Sequence, residues 1–150
     1  GAGSDYLALH DRPSITQLRA TQAAAKRAYS AANISADDVD LAEVHDCFTI
    51  AEVLATEDLG FAARGMGGKF ARDGEGRRNE GSVTINASGG LKSKGHPLGA
   101  TGTGQAVEIF KQVRSQVEPS RQIRDAEIGL THNVGGSGAT CAVHVFGRER

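Results

Sequence analysis

The 20 glycines of this 150-residue chain are not scattered but concentrate in Gly60–Gly81, Gly89–Gly104 and Gly129–Gly138. Runs of this kind imply tight turns or close approach of the backbone to something, and they divide the rest of the chain into short stretches of helix or strand periodicity. Tyr6–Leu9 predicts a short strand. Ser14, with Gln17 three residues on, has the form of a capping box ahead of a helical stripe through Ile15, Leu18, Ala25, Tyr29 and Ala32. Within the polar stretch Asn33–Asp38, Ser35 is placed to cap one further turn. Val39–Val44 then predicts a buried strand, and Phe48, Ala51, Leu54, Ala55 and Leu59 predict a helix that Gly60 stops.

Gly60–Gly81 has few branched apolar residues and predicts a long loop. Ser82–Asn86 predicts a strand and Ala87–Leu98 a turn-rich connection. From Gly99, the positions Ala106, Ile109, Phe110, Val113 and Val117 predict an amphipathic helix that Pro119 ends. Glu127–His132 and Ala139–Phe146 predict two strands. The second is apolar on both faces apart from Thr140 and His144, which places it at the centre of a sheet. This alternation predicts an α/β fold: a mixed β-sheet layered with helices and closed by an antiparallel hairpin, in a single domain spanning residues 1–150.

A chain of this length buries roughly 70% of the surface it exposes when unfolded, so it needs no disulfides or structural metal to hold a core. Its 17 Lys and Arg against 18 Asp and Glu leave a formal charge of −1, which argues against nucleic acid as a partner. No apolar run approaches a membrane span, and Gly1-Ala2-Gly3-Ser4-Asp5 lacks a basic-then-apolar signal. A soluble, cytoplasmic protein is expected. Cys47 and Cys141 form no CxxC pair, consistent with a reducing compartment. The missing initiator Met and abrupt opening lead to the expectation of a fragment.

Four places hold residues suited to chemistry. Cys47 falls in the first turn of its predicted helix, where N–H groups and the helix dipole favour a thiolate, and His45 is a neighbouring proton carrier. The plainer reading is a small core residue at a helix start. Cys141, inside a strand, reads as structural. Gly95-His96-Pro97-Leu98-Gly99 fixes a histidine before a helix, since Pro97 biases His96 towards extended geometry. That imidazole is suited to taking a proton or donating to an oxyanion, or else simply caps the turn. Asn133-Val134-Gly135-Gly136-Ser137-Gly138 lets N–H groups approach a ligand, or is a plain Gly-rich hairpin, and it lacks the strand-to-helix context of a dinucleotide fingerprint. Lys92, Lys94 and the loop arginines attract a phosphorylated ligand or are solvated surface. The histidines, Asp46 and the cysteines show no zinc spacing, so no metal is expected.

His45-Asp46-Cys47-Phe48, the block from Asn86 through Ser88-Gly89-Gly90-Leu91-Lys92 and Gly95-His96-Pro97-Leu98-Gly99-Ala100-Thr101-Gly102, and Asn133-Val134-Gly135-Gly136-Ser137-Gly138 together resemble the C-terminal half of a thiolase. The resemblance covers nearly the whole chain and points to the sterol-carrier-protein-type and archaeal acetyl-CoA acetyltransferase branch. It implies reversible condensation of acyl-CoA thioesters, such as two acetyl-CoA to acetoacetyl-CoA and CoA, with CoA and acyl-CoA as substrates and no separate cofactor.

By the same resemblance, His96 activates a nucleophilic cysteine and binds the second substrate's thioester oxygen. His45 stands where many thiolases have the Asn of an Asn-Glu-Ala-Phe motif, and Cys47 takes over as acid/base from a cysteine that many thiolases carry at the position of Asn133. Gly135 N–H lines a second oxyanion pocket, and Asn133, Gly95 and Gly136 lie along the substrate. Ala87 departs from a proline common before this turn. The family's nucleophile lies in an N-terminal domain outside this chain, so the chain alone is expected to be inactive. Its expected partners are that N-terminal domain, further copies in a homo-oligomer, and a small acyl-CoA-binding protein. Two other readings stand beside this one: a lipid-transfer-type retro-aldolase acting on a steroid or β-hydroxyacyl-CoA, and a noncatalytic acyl-CoA or lipid binder.

Overall fold

A computed structural model describes residues 1–148. Its elements run β1 (Ala2–Ser4), α1 (Arg19–Ala32), β2 (Leu41–Glu43), α2 (Thr49–Asp58), α3 (Gly67–Asp73), β3 (Thr84–Ile85), α4 (Gly90–Lys94), α5 (Thr101–Val113), β4 (Ile128–Gly135) and β5 (Thr140–Gly147). The strands form one sheet in the order β1-β5-β4-β2-β3. β2 runs parallel to both β3 and β4, whereas β5 is antiparallel to β4 and to β1. The expected mixed sheet, layered with helices and closed by the β4–β5 hairpin, is the architecture observed.

Alternation of side chains across each strand splits the core in two. Leu41 joins Ile109, Val113, Ile123 and Ala126 on the α5 face. Its neighbour Ala42 joins Leu130, Val143 and the alanines of α1 and α2 on the opposite face. Because β4 obeys the same rule, consecutive residues near its end address the two faces in turn, and this later separates the roles of His132 and Asn133. Among the described residues, no helix is long and apolar enough to cross a membrane.

The first strand lies at Ala2–Ser4, not at Tyr6–Leu9. Tyr6, Leu7 and Leu9 are exposed, while Gly1 and Gly3 approach α1 so closely that a Cβ on either would collide with the carbonyls of Ala24 and Ala20. A segment with no side chain at the two positions that face the alanines of α1 lies closer to the helix than an apolar strand could. β5 is not central either. β4 holds the middle of the sheet, and β5, with Thr140 and His144 exposed, is flanked on its other side by the short β1 along Thr140–Ala142 and by Gly1 at Val143.

Helix boundaries move for identifiable reasons. Ser14 does not cap α1; its hydroxyl takes the Thr16 N–H at 3.2 Å. The helix begins at Arg19, and the Leu18 N–H is accepted by the Asp58 carboxylate from α2 at 2.6 Å. Asp58 also accepts from Gln22 Nε2 at 2.7 Å and pairs with Arg64. α5 ends at Val113 rather than near Pro119. Ser115 turns left-handed there, and the Ser115 and Gln116 N–H groups return to the Gln112 and Lys111 carbonyls in a Schellman arrangement. Gly60–Gly81 is not all loop, since α3 sits within it on a single buried Phe70 and on a Gly67 N–H donated to Glu57 of α2. Ser35 caps its turn as expected, in a reciprocal box with Asp38.

Asp58 is buried and satisfies donors from two other segments, so Asp58→Ala strands the first N–H of α1. A loss of about 2–3 kcal/mol in urea unfolding is expected; a change within 0.5 kcal/mol, the size of an ordinary surface substitution, would show that α1 is capped by other means.

Candidate active site

β2 ends at Glu43 and delivers His45-Asp46-Cys47 to the edge of the core before α2 begins. Glu43, His45 and Asp46 are all buried. The two carboxylates flanking His45 reach across to the segment 88–95. Glu43 accepts the Ser88 N–H at 2.9 Å and the Ser88 hydroxyl, and lies 3.6 Å from Lys94 Nζ. Asp46 accepts the Leu91 N–H at 2.7 Å and the Lys92 N–H at 3.3 Å, at the start of α4. Gly90 makes this grip possible. Its φ is +64°, and a Cβ there would overlap the Asp46 carboxylate.

α4 then stops at Gly95, whose N–H returns to the Leu91 carbonyl, and the chain turns into His96. The result is a contact between residues distant in sequence. The His45 and His96 rings meet edge to face, with centroids 4.8 Å apart and planes at 85°. His96 Nδ1 lies 2.7 Å from Thr101 Oγ1.

His45 is held from behind as well. Its main-chain N–H donates to His132 Nδ1 at 3.4 Å, and His132 Nε2 lies 2.9 Å from the Thr21 hydroxyl of α1. His132 therefore carries its proton on Nε2 and remains neutral, and complete burial pushes its pKa down to about 3. Burial, and then the neighbouring His96, hold His45 below the usual histidine range, while Asn133 and Asp46 pull the other way. Asn133 follows His132 on β4 and so faces the α5 side. There a cleft of about 670 Å³ is lined by Gly102 and Gln105 of α5 together with Thr131, Asn133, Gly135 and Cys141. Gly135 and Gly136 lie at the hairpin, Gly135 opposite Thr140.

Among the sequence-selected residues, the structure thus brings His45 and His96 into ring contact, with Gly95 adjoining and Asn133 acting on His45. Cys47 is displaced from its expected position. The N-cap of α2 is Phe48 and the helix starts at Thr49, so Cys47 stands one residue before the cap rather than in the first turn. It is half-buried, unlike Cys141, whose thiol burial pushes up to about 11. No hydrogen bond joins Cys47 to His96 among the described residues. Lys94 is committed to Glu43 and Ser88. Among the described residues there is no cluster of His, Cys, Asp and Glu able to hold a metal.

Sequence reasoning gave no role to Glu43, Asp46, Asn86, Thr101 or His132. Asp46, Asn86 and Thr101 stand within the thiolase-like motifs, and Glu43 and His132 are polar side chains in otherwise apolar strands. Asn86, left-handed at φ +51°, takes the Val44 N–H at 2.8 Å and donates to Glu52, closing the ring of supports around His45.

The family model described as thiolase C-terminal domain-like matches residues 1–148. The chain belongs to that family. This thiolase C-terminal domain is 52% identical over 145 residues to an acetyl-CoA acetyltransferase of Methanothermobacter thermautotrophicus, covering 97% of this chain and 37% of that protein. It is 43% identical over 116 residues to sterol carrier protein 2 of Bos taurus, covering 77% and 21%. A solved structure titled Ltp2-ChsH2(DUF35) aldolase shares the fold at a TM-score of 0.80 and 22% identity, covering 98% of this chain and 38% of that one. The domain thus spans little more than a third of the archaeal relative it matches.

Asp46→Ala is expected to lower stability by about 1–3 kcal/mol and to speed hydrogen exchange at the Leu91 and Lys92 amides. Unaltered exchange at both amides would remove Asp46 as the link. His132 gives a separate pH signature. Its folded pKa of about 3 lies below the unfolded value near 6.5, so the native state binds fewer protons. Its stabilising contribution is complete above about pH 6.5 and disappears as pH falls towards about 3, with a slope approaching 1.4 kcal/mol per pH unit. His132→Gln is expected to flatten that limb in pH-dependent unfolding.

Proposed function

We propose that this domain is the C-terminal half of an acyl-CoA acetyltransferase that condenses two acyl-CoA thioesters reversibly, acetyl-CoA giving acetoacetyl-CoA and CoA. The observation carrying this reading is the contact between His45 and His96, two imidazoles held by separate buried supports and meeting at one point. The 52% identity to a protein named acetyl-CoA acetyltransferase supports the same reaction class. CoA and acyl-CoA enter as substrates, and no resident cofactor is required.

The chemistry divides into two transfers. A cysteine on the N-terminal half attacks the first thioester as His96 takes its proton, and Cys47 protonates the departing CoA thiolate and becomes a thiolate itself. Cys47 then removes an α-proton from the second acyl-CoA. The enolate attacks the acyl-enzyme carbonyl, and the enzyme cysteine leaves as the thiolate and recovers its proton from His96. Carbon–carbon bond formation places negative charge on two oxygens in turn, and fixed donors lower both barriers. His45 and His96 serve the thioester oxygen of the second substrate, and Gly135 N–H serves the other. Asn133, Gly95 and Gly136 line the substrate path. The N-terminal half is the main partner, and exposed Val107 and Phe110 of α5 offer it an apolar surface. A homo-oligomer and a small acyl-CoA-binding protein complete the proposed assembly.

The similarity to a protein named sterol carrier protein 2 and the fold shared with a structure titled an aldolase support a second reading, a retro-aldolase of a steroid or other β-hydroxyacyl-CoA. That reaction needs no acyl-enzyme, so product analysis separates the two. In the complete protein, His96→Ala and Cys47→Ala are each expected to reduce acetoacetyl-CoA formation at least about a hundredfold. Undiminished turnover in either variant would withdraw the role assigned to that residue.

A further inference from the structure

Thr101 is the first residue of α5 and is buried. Its hydroxyl has two neighbours. His96 Nδ1 lies at 2.7 Å, and the Pro97 carbonyl accepts the hydroxyl proton at 3.2 Å. The same carbonyl also receives the N–H groups of Ala100 and Thr101 at 2.8 and 3.0 Å, which fix it in place. A hydroxyl has one proton, whereas a carbonyl only accepts. With its proton turned towards Pro97, Thr101 Oγ1 presents a lone pair to His96.

We infer that Thr101 is a positioning residue that selects the Nδ1–H tautomer of His96, leaving Nε2 as the proton-accepting atom. The tautomer of an imidazole is set by the hydrogen bond made at its other nitrogen, and here that bond lies within a six-residue turn. One hydroxyl orientation serves both charge states. When Nε2 takes a proton, Nδ1 still donates to Thr101, so nothing needs to turn between proton uptake and release. In the opposite tautomer the hydroxyl would point at Nδ1 in the neutral ring and have to swing towards Pro97 each time the ring became charged. Pro97 contributes twice, by holding His96 extended and by supplying the carbonyl. The assignment deepens the acyltransferase reading, because a base that takes a cysteine proton through Nε2 needs that atom bare.

The test uses the complete protein, uniformly 15N-labelled at histidine, with the His96 signals identified by their loss in His96→Asn. In the neutral form, Nε2 is expected to show the unprotonated, pyridine-type shift and Nδ1 the protonated one. Thr101→Val, which keeps the shape and removes the hydroxyl, is expected to mix the two tautomers and lower kcat about tenfold or more with KM little changed, whereas Thr101→Ser restores both. A protonated Nε2 in neutral wild-type His96, or an unmixed Nδ1–H tautomer in Thr101→Val, would overturn the assignment. The wild-type spectrum decides even where the valine variant fails to fold. The spectrum requires no turnover, so a protein that shows the expected tautomer but makes no acetoacetyl-CoA would count against the proposed reaction and not against Thr101.

Discussion

Two buried carboxylates hold this site together. Glu43 and Asp46 stand on either side of His45 and between them take four hydrogen bonds and one ion pair from the segment 88–94. Burial raises the Glu43 carboxyl above its usual range, and the Ser88 N–H and hydroxyl, and then Lys94, pull it back. An unpaired carboxylate at that depth would be costly, so the loop that brings Ser88 and Lys94 is tied to β2 by electrostatic necessity. His96 follows that loop by two residues, and its contact with His45 is a consequence.

The sheet supplies the second constraint. Because β4 alternates, His132 points towards α1 and supports the backbone of His45, while Asn133 points towards α5 and acts on its ring. A shift of one residue in the pairing of β4 with β2 would exchange these roles and bury the wrong side chain on each face. The register Leu41↔Gly129 through Glu43↔Thr131 thus matters to the geometry around His45 as much as to the core. Stability and site geometry rest on the same strands.

Much of this was legible along the chain. The order of the main helices and strands, the closing hairpin and the Ser35 turn follow from local pattern, and the candidacy of His45 and His96 follows from the thiolase-like motifs. Other features left little local trace. α3 rests on one phenylalanine and a contact with Glu57, α1 is capped by an aspartate 40 residues away, and β1 lies where it does because Gly3, with Gly1 before it, fits against alanines of α1. Propensity describes what a segment prefers alone, and these segments are decided by what lies beside them.

The amino-acid order by itself determined the α/β class, the family and the identities of His45, Cys47 and His96 as candidates, because periodicity and motif spacing are properties of neighbouring residues. Only the tertiary structure decided that His45 touches His96, that Cys47 stands outside the helix, and that Glu43, Asp46, Thr101 and His132 support the site. Those facts depend on which distant donors and acceptors meet once water is excluded. A buried polar group finds its partner across the fold, and nothing in its immediate sequence says which partner that is.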